Sequence, residues 1–95
     1  MGLPEPEEEL TKVQLAGIIR DAIRRQRLTQ AAAAARMGID HPKVSALLNG
    51  RLANVSSGRL MRLLTALGQD VEITVREKPR SRRRGRVRVV GEAHA

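Results

Sequence analysis

LTQAAAAARMGIDHPKVSALLNG, residues 28–50, is the stretch that decides the fold. Thr29 can cap a helix starting at Gln30, because its hydroxyl oxygen can accept a free N–H of the first turn. The five alanines at 31–35 favour helix strongly. Gly38 follows Met37 and breaks the helix, being free to take a left-handed conformation. Ile39 is the apolar residue of the turn. Asp40 then caps a further helix, with Pro42 in its first turn, where a proline loses no N–H bond. Val44, Leu47 and Leu48 fall at i, i+3 and i+4 and should face inward. Asn49-Gly50 ends that helix.

Two short helices, a glycine turn with an apolar plug, and the small Ala34 where the helices must cross closely make a helix-turn-helix. The second helix is apolar on one side only. His41, Pro42, Lys43, Ser45 and Ala46 are left largely on the free side. An exposed side that is short, polar and basic can enter a major groove.

Working outward, residues 1–9 are rich in Pro and Glu and read as a disordered acidic arm. From Leu10 the pattern is helical: Leu15, Ile18, Ile19, Ala22 and Ile23 make one apolar stripe on a helix of about 16 residues. Lys12, Arg20, Asp21, Arg24 and Arg25 are expected on the opposite face. Beyond the decisive stretch, residues 51–55 form a loop. Ser56 caps another helix, with Val55 and Leu60 placed to staple its start. Leu60, Leu63, Leu64 and Leu67 give its stripe, and Gly68 stops it. The period then changes to two: Val71, Ile73 and Val75 alternate with Glu72, Thr74 and Arg76, which predicts a half-buried strand. A lone strand leaves its ladder groups unpaired, so its partner is either residues 86–90 or the same segment of a second copy. The second is favoured, and Val71, Ile73 and Val75 become dimerisation residues. The expected fold is all-α, four or five helices with a short C-terminal β-strand. Residues 10–76 form the domain, and 77–95 a basic, flexible tail.

Composition narrows the function. The chain has 95 residues, enough for one domain, and no Phe, Trp or Tyr, so the core must be thin. Self-association is a common remedy for that. The absence of Cys removes disulfides, thiolate nucleophiles and Cys-based zinc sites. His41 and His94 are too far apart to suggest a metal site, and no cofactor is implied. No phosphate loop follows a strand, and nothing pairs a nucleophile with a base, so an enzyme reading fails. The first residues lack a basic and an apolar region, and no apolar run spans a membrane; a cytoplasmic protein is expected. The net charge is +8, and residues 10–78 hold twelve Lys/Arg against five Asp/Glu. The folded part is itself basic, which points to a polyanion, most commonly nucleic acid.

The elements Leu28-Thr29-Gln30, Met37-Gly38, Val44 and Ala46-Leu47-Leu48-Asn49-Gly50 resemble the core motif of the lambda-repressor-like, or XRE, family of helix-turn-helix regulators. A closer resemblance runs from about Leu15 to Arg76. VSALLNGR, then SSGRLMRLLTALGQDVEITVR, is similar to a subgroup of short XRE proteins that includes HigA-type antitoxins, in which a strand often follows the last helix. The resemblance implies that Gln30, beside the Thr29 cap, contacts a phosphate and braces the recognition helix. It implies that His41 reads a base edge, with Pro42, Lys43 and Ser45 facing the groove, and that Asn49 bonds a phosphate with Arg51 near it. Relatives often carry Gln or Ser where His41 stands, so the preferred base stays open. Many have Phe at the position of Val55.

Each of these residues has a plainer reading. Gln30 can be only a helix former, His41 and Ser45 surface positions, and the arginines at 80–88 a solvated tail that adds general phosphate attraction. Three functions follow. One is the autoregulating antitoxin of a toxin–antitoxin pair: a homodimer on a palindromic double-stranded operator, with a small toxin as second partner. Another is a stand-alone repressor. The third is a basic RNA-binding or nucleoid-associated protein without operator preference.

Overall fold

The computed structural model describes residues 6–91, and its regular structure is four helices: α1 (Pro6–Arg25), α2 (Gln30–Met37), α3 (His41–Leu48) and α4 (Ser57–Ala66). Three of the four begin at caps legible in the sequence. Thr29 Oγ1 accepts from the Ala32 N–H at 3.0 Å, Asp40 Oδ1 from Lys43 at 2.9 Å, and Ser56 Oγ from Arg59 at 3.0 Å. Each such bond satisfies an orphan donor and contributes about 1 kcal/mol.

The four C-termini close alike. An N–H five residues on returns to a carbonyl of the last turn: Leu28 to Ile23 at 3.0 Å, Ile39 to Ala34 at 3.1 Å, Arg51 to Ala46 at 2.9 Å, and Gln69 to Leu64 at 3.0 Å. This closure needs a left-handed residue just before the donor. Gly38, at φ 69°, supplies it in the turn of the motif; after α1 the same part is played by Arg27, at φ 54°. A non-glycine residue there carries strain of roughly 1 kcal/mol.

The core lies where the four helices converge. α1 packs mainly on α4 and α2 on α3, while α1–α3 and α2–α4 contacts join the two pairs. Ile19, Val44, Leu60 and Leu67 are the largest fully buried side chains, one from α1, one from α3 and two from α4 and its end. Leu52 reaches in from the α3–α4 loop.

Four expectations are corrected. α1 starts at Pro6 and spans 20 residues, so Glu7, Glu8 and Glu9 form its acidic first turn and belong to no arm. Carboxylates there complement the positive end of the helix dipole. Lys12 is buried, 6% exposed, and not on the outer face. It sits four residues before Ala16 and seven before Ile19, on the core stripe, and its ammonium donates to the Leu52 carbonyl at 3.4 Å with Glu9 at 3.9 Å.

The strand is not formed. Residues 71–76 have no regular structure and no ladder partners; Val71 is partly packed on the core, but Ile73 is 74% and Val75 90% exposed. An isolated strand has nothing to exchange hydrogen bonds with, and residues 86–90 do not supply it. They lie instead against α1, where Val87 donates its N–H to Glu7 and Val89 packs on the core. The tail is therefore docked, without regular structure, as far as Gly91. Residues 1–5 of the expected arm and 92–95 of the expected tail lie outside the described residues.

Candidate nucleic-acid interface

α3 is held by Val44 and Leu47, both buried, and by the half-buried Leu48. These positions lie on one side of the helix, so its first turn is left to solvent. His41, Pro42 and Lys43 are all exposed, and Ser45 and Ala46, half-buried, flank the seam. The Asp40 cap takes the Lys43 backbone N–H, and the Lys43 side chain is exposed. The surface is short, polar and cationic, and the buried Val44 and Leu47 lie behind it.

Thr29 and Gln30 stand at the start of α2, and Asn49 and Arg51 just past the end of α3. Thr29 spends its oxygen as an acceptor in the cap, so its hydroxyl proton remains available to an outside acceptor. Gln30 is half-buried, and Arg51 is exposed. Asn49 turns its amide back to its own helix, donating to the Ser45 carbonyl at 2.9 Å, with a long 3.4 Å contact to Ser45 Oγ. Exposed donors thus stand at both ends of the motif, with the α3 first turn between them in sequence.

A family model for a helix-turn-helix domain matches residues 1–76 of this chain. A solved structure assigned by name to the XRE family of transcriptional regulators is similar to it at 56% identity, with a TM-score of 0.88, covering 94% of this chain and 100% of that one. The chain belongs to the XRE family. No match was found among curated proteins.

XRE proteins are helix-turn-helix transcription regulators, and DNA is the ligand that such a family implies. Among the described residues no helix is long and apolar enough to cross a membrane. Two residues support the motif in ways the sequence reading misses: Gln26 does not figure in it, and Lys12 is expected on the outer face. Gln26, after α1, donates to the Leu67 carbonyl at 2.7 Å and accepts from Arg36 Nη1 at 2.8 Å, tying the ends of α1, α2 and α4 together. Lys12 joins α1 to the loop that follows α3. The available signal was periodic: Gln26 continues the Ile19–Ile23 row, and Lys12 precedes Leu15 and Ala16 on the same stripe. Polar residues on an apolar stripe are expected to be buried and bonded.

Proposed function

We propose that this XRE protein is a sequence-specific repressor. α3 reads base edges through His41, Pro42, Lys43 and Ser45, while Thr29, Gln30, Asn49 and Arg51 hold phosphates on either side. The observation that carries the reading is the exposed cationic first turn of α3, backed by buried Val44 and Leu47, in a chain of this family. The reading extends to a homodimer on a palindromic operator and to autoregulation as the antitoxin of a small toxin. The antitoxin role is supported by the resemblance of residues 15–76 to HigA-type proteins, and the dimer by the uncovered Ile73 and Val75.

The direct test is selection of bound sequences from a random duplex pool, followed by footprinting of the enriched site. An enriched palindrome is expected. Uniform retention of all sequences would leave only a general polyanion binder. Replacing His41 or Lys43 by Ala should reduce discrimination between the selected site and random DNA by about 1–3 kcal/mol for each lost base contact. Asn49→Ala should weaken both classes of DNA alike. If His41→Ala and Lys43→Ala both left discrimination intact, α3 would not be the reader.

Assembly has its own test. Ile73→Lys sets a charge in the middle of the apolar alternation and should shift the protein toward monomer in sedimentation. Operator binding should fall with it, since a palindrome requires both halves. A wild-type protein monomeric at micromolar concentration, free and on DNA, would remove the dimer. Growth arrest by the product of an adjacent reading frame, relieved by co-expression of this chain, would establish the antitoxin role; no such rescue leaves a stand-alone repressor.

A further inference from the structure

The arginine-rich end of the chain is placed, not loose. Val87 donates its backbone N–H to the Glu7 carboxylate in the first turn of α1. Gly91 lies against Ile18: a Cβ added to it would stand 3.4 Å from Ile18 Cδ1. From Glu7 to Ile18 the helix rises roughly 16 Å, and from Val87 to Gly91 an extended chain covers about 13 Å. The segment therefore runs beside α1, in the same direction as the helix. Val89 packs inward, and Val87, Arg88 and Val90 are exposed.

This anchor keeps Arg83, Arg84 and Arg86 within a few residues of the start of α1. Arg84 lines an open cleft of about 400 Å³ together with Glu7, Glu8, Thr11, Ser57, Met61 and Val87, and among the described residues its guanidinium forms no ion pair with either carboxylate. Ser57 is the first residue of α4 and directly follows the Ser56 cap at the end of the α3–α4 loop, the loop that starts at Asn49 and Arg51. Arg83, Arg84 and Arg86 are all exposed, and the ion pair found among the described residues joins Lys12 and Glu9, not any of these three. A cationic run is thus carried to the end of the domain where the loop after α3 runs into α4.

The geometry points to a second phosphate-binding surface: an arm of Arg83, Arg84 and Arg86, pinned by Glu7 beside the start of α4, that grips DNA backbone flanking the base pairs read by α3. The inference rests on the DNA-binding reading above. Guanidinium groups match phosphate oxygens through paired N–H donors. An arm already tethered loses less freedom on binding than a free tail. A free tail would add attraction with no fixed position; a tethered arm engages phosphates at a set distance from the site. Glu7 is then a positioning residue, and its negative charge in a DNA-binding protein is accounted for by the Val87 N–H it holds.

The full chain is titrated with two duplexes, the selected site alone and the same site with eight flanking base pairs on each side. Wild-type protein should bind the longer duplex roughly tenfold more tightly, with a salt slope steeper by up to about 2.7 per protomer for three arginines engaged. R83Q/R84Q/R86Q should lose that gain and keep its affinity for the short duplex. Glu7→Ala should lose much of the gain, and Glu7→Gln, which retains the acceptor oxygen, should keep it. Simple charge repulsion makes the opposite forecast, since both Glu7 variants would then bind more tightly. The arm is refuted by equal wild-type affinity for the two duplexes, by a gain that survives the triple variant, or by Glu7→Ala matching or exceeding Glu7→Gln. Absence of any selected site would refute the DNA reading itself, whereas a selected site bound without regard to its flanks would refute only the arm.

Discussion

Raising salt from about 50 to 200 mM should weaken operator binding by roughly 10³–10⁵, if some 6–10 phosphates are engaged per dimer. The chain carries +8 overall, and residues 10–78 hold twelve Lys/Arg against five Asp/Glu. Lys43 and Arg51 are exposed in the first turn of α3 and just past its end. Each cation that meets a phosphate releases a condensed counterion, and that release loses its entropic advantage as bulk salt rises. The slope of log affinity against log salt, from fluorescence anisotropy on the selected duplex, counts the contacts. Arg51→Gln should flatten the slope by about 0.9 for each phosphate it served. A slope near zero would sink the whole electrostatic account, including the arginine arm.

Leu60→Ala should cost about 2–5 kcal/mol, against a total stability expected to be near the low end of 5–15 kcal/mol. Leu60 is fully buried in the first turns of α4, which packs mainly on α1. The core has no aromatic ring, so a few aliphatic side chains carry nearly all of the burial. Removing three carbons leaves a cavity in the cluster that also holds Ile19 and Leu64. For a domain of this size the expected fall in Tm is of the order of 10–30 °C. Thermal unfolding followed by circular dichroism decides it. A loss under about 3 °C would mean that α4 does not close the core as described.

The turns and caps of the motif were legible because they are local. A hydroxyl or carboxylate one residue before a helix meets that helix's own amides, whatever the rest of the chain does, so Thr29, Asp40 and Ser56 announced their helices directly. Gly38 likewise acts within its own turn. The apolar spacing of Val44, Leu47 and Leu48 told which side of α3 is inside, and hence which residues face out. The start of α1 was harder. Pro6 and three glutamates have the composition of a solvated arm, yet a proline followed by acids also suits a first turn, where the N–H is unneeded and the dipole welcomes negative charge.

Contacts between distant parts of the chain decided the remainder. Residues 71–76 have the alternation of a strand, but pairing belongs to two segments, and the second one is elsewhere. Residues 86–90 were the sequence's own candidate for that partner, and burial of Val89 against the core takes them to α1. Lys12 and Gln26 have side chains whose burial depends on carbonyls forty or so positions away, at Leu52 and Leu67. The sequence by itself determined the helices, their caps and the outward face of α3, because each depends on neighbours within a few residues. Only the tertiary structure decided that the arginine tail lies along α1 beside the start of α4 and that the predicted strand stays unpaired, because both depend on which surfaces remain free once the helices have packed.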